Sequence, residues 1–388
     1  MSTMIPYGHQ DISEADIQAV VDVLRSDFLT QGPAVPAFEK AVANYCSAKH
    51  AVAANSATSA LHLACLALGV GKGDVVWTSP ITFVASANCA LYCGAEVDFV
   101  DIDPHTYNLS VACLSEKLAR AKKNGRLPKV VIPVHLCGQP CDMAGIYALS
   151  QQYGFKIIED ASHAIGGKYK NEPIGNCRYS DITVFSFHPV KIITTGEGGL
   201  AVTNDVQLAR KMQLLRSHGI TRDPIEMSGE SEGGWYYQQV ELGYNYRMTD
   251  MQAALGSSQL QRLDAFISRR MELADYYSIA LTSFPISVPQ GSSDSAWHLY
   301  VIQVDEARAG ISRKTIFDAL RVQGIQANVH YMPVHLQPYY RNLGYTLGDF
   351  PAAEYYYERC LTLPLYPGLT DDEQNRIIKE LGTLLRSR

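Results

Sequence analysis

The stretch ITVFSFHPVKIITTGEGGLAVTND, residues 182–205, decides how the rest of the chain is read. Its two ends, ITVFSF and GGLAVTND, have the length and composition of buried strands. Between them stands one lysine, Lys191, followed by a return through Gly196, Gly198 and Gly199. A lysine in a partly closed cleft loses hydration, which lowers its pKa and frees the amine to form a Schiff base. An isolated loop lysine is by default solvated, so the meaning of this one depends on its surroundings.

Working outward, similar apolar runs recur upstream: HAVAAN, DVVWTS, AEVDFVDID, KVVIPVH and FKIIEDAS. Helical patterns separate them, among them SATSALHLACLALG, TFVASANCALYCG, SVACLSEKLARAKKN and AGIYALSQQYG. Strands alternating with helices predict βαβ units and a mainly parallel sheet of seven strands in an α/β, doubly wound domain. Beyond GYNYRMTD the pattern predicts one long helix over MQAALGSSQLQRLDAFISRRMELADYYSIALTS. Strands at HLYVIQVD and QANVHYMP, a helix at SRKTIFDALRVQG and a capped closing helix from Thr370 follow. The expected division is a large domain over residues 1–260 and a smaller α+β domain over 261–388.

The 388 residues carry a formal charge of −6, with 47% hydrophobic and 19% charged residues, which is a globular composition. With no basic run, nucleic acid is not the expected partner. The opening MSTMIPYGHQDISEADIQ does not read as a signal peptide, and no run has the length of a membrane span. Nine scattered cysteines, mostly in apolar segments, read as reduced thiols and favour a cytoplasmic location.

Two further stretches bear on Lys191. In AANSATSALHLA, Ser56, Thr58 and Ser59 fall at a helix N-terminus, where free N–H groups and the helix dipole attract an anion; ordinary capping is the alternative. In FKIIEDASHAIGG, Asp160 ends an apolar strand, where open α/β sheets present ligand-binding groups. It could cap a helix or pair with a buried cation, while Glu159 faces the other way. His163 follows three residues on, and a lone histidine is more often a hydrogen-bonded core residue than a catalyst. A lysine, a carboxylate and an anion cradle are together what pyridoxal phosphate requires for its aldehyde, ring nitrogen and phosphate.

At this point the chain resembles the DegT/DnrJ/EryC1/StrS family of sugar aminotransferases. FLTQGP, NSATSALHLA, EDASHAIGG, SFHPVKIITTGEGG and GYNYRMTD match family motifs in order over almost the whole length. The resemblance implies the fold-type I aspartate aminotransferase architecture and a cofactor cycling between pyridoxal and pyridoxamine phosphate. Lys191 would hold the cofactor as a Schiff base and carry the transferred proton. Asp160 would keep the ring nitrogen protonated, and His163 would contact the ring or its phenolic oxygen. Ala57, Thr58, Ser59 and Ser186 would bind the phosphate, and Phe83 would pack on the ring. Asn245 would reach the phosphate of a neighbouring subunit, making a homodimer with shared active sites.

Tyr7, Leu29, Thr30, Gln31, Asn328, Val329, His330 and Tyr331 would line a nucleotide-sugar pocket. Arg247 is a candidate for the donor carboxylate. MIPYGHQDI and NVHYMPVHLQPYYR carry a narrower resemblance. It is to members that aminate a UDP-linked 4-keto-6-deoxy sugar with L-glutamate in pseudaminic acid biosynthesis, releasing 2-oxoglutarate. Members acting on UDP-4-amino-4-deoxy-L-arabinose or GDP-perosamine routes, or aminating C3, share the same cofactor residues. Members that replace the lysine by histidine become dehydratases; Lys191 favours transamination.

Three weaker signals lead elsewhere. His135, Cys137 and Cys141 in VHLCGQPCD lack zinc spacing and a second ligand pair, so no metal is expected. EYYYERC reads as packing in a helix. A cofactor-binding regulator would need a basic DNA-binding segment, and the stretch before the first strand has few basic residues.

Overall fold

The structure is a computed structural model and describes residues 4–290 and 292–386. One sheet is built from β1 His50–Ala54, β2 Val75–Thr78, β3 Glu96–Phe99, β4 Val130–Ile132, β5 Lys156–Asp160, β8 Ile182–Ser186 and β9 Gly199–Thr203. A small ribbon of β6 Lys168–Tyr169 and β7 Glu172–Pro173 lies between β5 and β8 in sequence. The sheet order is β1-β9-β8-β5-β4-β2-β3. Each of the seven apolar runs supplies one strand. Six strands are parallel; β9 is antiparallel to both neighbours, β1 and β8. The parallel strands therefore all end at one edge, and functional groups at their C-termini converge there.

Helices α1 Glu14–Leu24, α2 Ala34–Cys46, α3 Ala57–Ala67, α4 Ala85–Tyr92, α5 Val111–Lys123, α6 Met143–Tyr153 and α7 Val206–Arg216 accompany the sheet. Val52, Leu61, Leu63, Val76, Ile132, Ile158 and Val184 make up part of its buried core. The strands have near-continuous apolar sequences because both of their faces are covered.

The single long helix expected after GYNYRMTD is instead two helices, α8 Asp250–Leu260 and α9 Leu263–Leu281. At the joint, Arg262 leaves helical geometry, with φ −104° and ψ 2°. Its guanidinium donates to Asp11 Oδ1 and Asp16 Oδ2, each at 2.5 Å, while Gln259 Nε2 donates to Asp16 Oδ2 at 2.8 Å. These long-range bonds pin the N-terminal arm to the break and offset the lost helical turn.

The α9 helix joins two cores. Leu263 and Phe266 pack with the large sheet, whereas Leu273, Tyr277 and Leu281 pack with Tyr300, Ile302, Leu361, Leu363, Ile377 and Leu381. In this second core, β12 Tyr300–Gln303 pairs with β13 Cys360–Leu363; β10 Ile220–Thr221 and β11 Gln238–Gln239 form a separate ribbon. The strand expected at QANVHYMP does not form. Only Asn328 bridges to Thr362, and Asn328 Oδ1 turns back to accept the Val329 N–H at 2.8 Å. The chain then leaves the ribbon and carries His330 and Tyr331 toward the sheet edge.

Candidate active site

Lys191 lies on the excursion between β8 and β9. Phe187 N–H donates to Gly198 O at 2.9 Å and Thr195 N–H to Phe187 O at 3.0 Å, closing the excursion at its neck. Buried Ile192 and Ile193 anchor the backbone beside Lys191. Gly196 turns at φ +80°, a region costly for residues with a Cβ. A Cβ on Gly199 would lie 2.3 Å from Ala57 N, so β9 starts in direct apposition to the start of α3.

The half-buried Lys191 amine makes no hydrogen bond or ion pair among the described residues. Loss of hydration lowers its pKa to about 8, against the opposing pull of Asp160 and Cys137. Because the pKa is depressed, the neutral nucleophilic amine gains at a given pH; near neutrality its fraction is roughly 300-fold that of an unperturbed lysine. Reaction of cofactor-free protein with trinitrobenzenesulfonate, followed by peptide mapping, should therefore label Lys191 with a half-maximal rate near pH 8 and a plateau above. A rate still rising steeply beyond pH 10, like those of surface lysines, would contradict the desolvated setting.

Asp160 ends β5 and is 4% exposed. Its Oδ2 accepts Ser86 Oγ–H at 2.6 Å and its Oδ1 accepts Ser162 N–H at 3.1 Å. Ser86 is buried on α4 and also bonds Thr82 Oγ1 at 2.7 Å. No cation pairs with Asp160 among the described residues. Glu159 faces the opposite side of the sheet, as strand alternation requires, where it bonds His135 Nε2 at 2.9 Å and Thr183 Oγ1 at 3.1 Å. His135 Nδ1 accepts Cys141 N–H at 3.0 Å. The VHLCGQPCD histidine is thus satisfied on both nitrogens by packing partners.

Ser56 is the N-cap of α3; its Oγ accepts Ser59 N–H at 3.1 Å. Ser59 Oγ–H goes to Asn55 Oδ1 at 2.6 Å, so the Ser59 hydroxyl is committed to holding the loop. The N–H groups of Ala57 and Thr58 remain without intrahelical acceptors, as the first positions of a helix must. Ser186, buried at the end of β8, has a hydroxyl with no hydrogen-bond partner among the described residues. Three donors at this sheet edge are therefore available to an anion.

Segments leaving the second core at Ile5 and Ala327 carry Tyr7, Asn328, Val329, His330 and Tyr331, of which Tyr7, Val329 and Tyr331 pack against the core of the large sheet. The Tyr7 ring is 5.3 Å from His330, and His330 Nδ1 lies 2.8 Å from Thr362 Oγ1. Tyr331 OH lies 3.0 Å from His163 Nε2, and Phe83, largely exposed, faces Tyr331 at 6.4 Å between ring centres. Leu29, Thr30 and Gln31 are exposed, and Thr30 bridges to Thr249. Asn245 is exposed and Arg247 half-buried, and neither side chain bonds anything among the described residues; the alternate residues Tyr244 and Tyr246 stack on each other at 4.9 Å. Sequence reasoning missed Ser86 and Cys137. Ser86 reads as an ordinary helix residue, and Cys137 carried only a weak zinc signal.

The family model of the DegT/DnrJ/EryC1/StrS aminotransferase family matches residues 10–382. The chain belongs to this family. Among curated relatives of this family member, the spore coat polysaccharide biosynthesis protein SpsC of Bacillus subtilis (strain 168) is 42% identical over 98% of this chain and 97% of its own. Among solved structures, Helicobacter pylori PseC, an aminotransferase involved in the biosynthesis of pseudoaminic acid, superposes with a TM-score of 0.90 at 31% identity, covering 100% of both chains. The putative sugar aminotransferase Spr1654 of Streptococcus pneumoniae in its PLP form gives 0.88 at 32% identity, covering 99% of both chains.

Pyridoxal phosphate is the cofactor of this family, and the residues present fit it. Asp160 is a buried carboxylate that forms no ion pair among the described residues, suited to a protonated ring nitrogen. Lys191 is a partly neutral amine without a hydrogen-bond partner among the described residues, suited to an aldehyde. The free donors of Ala57, Thr58 and Ser186 suit a phosphate.

Proposed function

We propose that this protein transfers an amino group from L-glutamate to C4 of a nucleotide-linked 4-keto-6-deoxy sugar, in the manner of pseudaminic acid biosynthesis. The acceptor would be UDP-2-acetamido-2,6-dideoxy-β-L-arabino-hex-4-ulose. The observation that carries this reading is the meeting of Lys191, Asp160 and the α3 N-terminus at one sheet edge, within a chain of this family. Pyridoxal phosphate, when bound, supplies an electron-accepting ring through which an amine and a proton can be exchanged.

Lys191 would hold the cofactor's aldehyde carbon and, once displaced by an incoming amine, move the proton at the reacting carbon. Asp160 would hold a proton on the ring nitrogen, steadied by Ser86 and Ser162 N–H. Ala57, Thr58 and Ser186 would hold the phosphate, and Phe83 would cover the ring. Tyr7, Asn328, Val329, His330 and Tyr331 would orient the sugar nucleotide, with Leu29–Gln31 at its outer side. The exposed Asn245, whose side chain bonds nothing among the described residues, supports a homodimer in which it reaches the other subunit's phosphate, and Arg247 is our candidate for the glutamate carboxylate. No helix among the described residues is long and apolar enough to cross a membrane; we place the reaction in the cytoplasm.

The 42% identity to SpsC, against 31% to PseC, favours a second reading in which the chemistry is the same and the acceptor is a different nucleotide sugar. Incubating the cofactor-loaded protein with glutamate and a panel of UDP- and GDP-linked 4-keto sugars separates them. The first reading expects a 4-amino UDP-sugar by mass and NMR. A 4-amino product from another acceptor alone selects the second reading, and a 3-amino or dehydrated product overturns both.

A further inference from the structure

We propose that Cys65 and Cys93 form a reversible disulfide across helices α3 and α4 when the protein meets a hydroperoxide. The site lies apart from Lys191 and Asp160 in the chain, and the inference depends on neither the cofactor nor the acceptor.

The packing of the two helices supplies the geometry. Helices α3 and α4 lie against each other and bring Cys65, Cys89 and Cys93 together. Cys65 and Cys89 are fully buried, whereas Cys93, the C-cap of α4, is partly exposed. The Cys65 thiol is in hydrogen-bonding contact with the side chains of both Cys89 and Cys93. Among the described residues, no group of three or more histidine, cysteine or acidic side chains is placed to hold a metal ion. The chemistry open to this cluster is therefore between thiols.

His62, one turn before Cys65 on α3, completes the cluster. Its Nδ1 lies 3.2 Å from Tyr246 OH, and its ring meets Tyr92, Tyr244 and Tyr246 at 5.6, 4.9 and 5.9 Å between centres. Its Nε2 is buried and meets no well-aligned partner. The Cys93 sulfur lies against this imidazole. A thiolate at Cys93 thus has a thiol donor on one side and a histidine on the other. Contact with Cys65, and then the attraction of His62, bring the Cys93 thiol down to about 6 against the opposing effect of burial. Contacts with Cys89 and Cys93, then burial, hold Cys65 well above the ordinary thiol range. One sulfur is an accessible nucleophile and its neighbour keeps its proton, the pairing in which the first is oxidised and the second resolves it.

The steps balance with the hydroperoxide as the sole oxidant. The Cys93 thiolate attacks the terminal peroxide oxygen and the O–O bond breaks. Cys93 becomes a sulfenic acid, and the oxygen anion that leaves takes up a proton. The Cys65 sulfur then attacks the Cys93 sulfur, and the S–O bond breaks. The Cys65 proton departs with the hydroxyl as water. The two thiols lose two electrons, and the peroxide gains them.

Cys89 is not the partner. Its thiol donates to Ser86 O at 3.3 Å, and it shares α4 with Cys93, four positions away. Side chains at that spacing have Cβ atoms about 5–6 Å apart. A disulfide brings them to about 3.5–4.5 Å, so α4 would have to unwind. Two separate helices can close the same gap by a small shift. The bond would tie together helices whose other ends reach the candidate site, α3 through its Ser56 cap and α4 through Ser86 on Asp160.

The test treats the reduced protein with hydrogen peroxide, blocks free thiols with N-ethylmaleimide and maps peptides by mass spectrometry. The expected result is a Cys65–Cys93 cross-link, two hydrogens lighter than the separate peptides, that dithiothreitol reverses. Cys65→Ala should give no cross-link and leave Cys93 as a sulfenic acid that dimedone traps. Iodoacetamide should alkylate Cys93 of the reduced protein with a half-maximal rate near pH 6, and His62→Asn should raise that midpoint. A Cys89–Cys93 link in the wild type overturns the proposal. So does Cys93 oxidised while Cys65 stays free, or a Cys93 that peroxide leaves untouched.

Discussion

Replacing Lys191 with alanine is expected to reduce amino transfer by at least about four orders of magnitude, since in the proposed mechanism one side chain supplies both the nucleophile and the moving proton. The folded protein should survive the change. The amine has no hydrogen bond or ion pair among the described residues, and burial works against its charge, so little stabilisation is removed. Thermal unfolding of the variant should match that of the cofactor-free wild type within a few degrees or exceed it. Lys191→Arg sharpens the test, because it keeps a cation at the site but has no accessible neutral amine. Single-turnover measurements with glutamate, read by mass spectrometry of 2-oxoglutarate, report the loss directly. Either variant retaining activity within about tenfold of wild type would remove Lys191 from the chemistry.

The second large effect concerns Asp160→Asn. The substitution keeps the shape but removes the charge and one of two acceptor oxygens. Ser86 Oγ–H and Ser162 N–H then compete for a single carbonyl, and one buried hydrogen bond is lost, costing about 1 kcal/mol of stability. The functional loss is larger, about 10²- to 10³-fold in kcat, the scale found for removing one preorganised electrostatic group. A second readout ties the two residues together. Asp160 raises the Lys191 pKa against the larger effect of burial. Removing its charge should move the half-maximal labelling pH of Lys191 below about 8. An upward shift, or none, would show that the two groups do not share a field.

How much of this could be read from the chain alone follows from the range over which each signal acts. The sheet was legible because strands buried on both faces are apolar end to end, and the groups at their C-termini interrupt that pattern: Asp160 after IIE, Ser186 after TVF. The α3 cradle was legible because capping is local. What escaped depends on distant partners. Ser86 meets Asp160 across 74 positions, and Tyr331 meets His163 across 168. The break between α8 and α9 comes from Arg262 reaching Asp11, 251 positions away, with no glycine or proline to announce it. Asn328 reads as a strand residue, yet its own side chain competes for the next N–H.

The antiparallel β9 also sets an order of events. β1, at the sheet edge, has β9 as its one neighbour in the sheet, pairing His50 with Thr203 and Ala54 with Gly199. During synthesis the loop after β1, our proposed phosphate cradle, is made early, but nothing in the sheet can hold it until residues 199–203 have emerged. Such a long-range pairing is slow to find, because the intervening chain must first be ordered. The same pairing brings Gly199 against Ala57, and Lys191 has been synthesised just before it. Strand and loop are thus joined only once Lys191 has been synthesised.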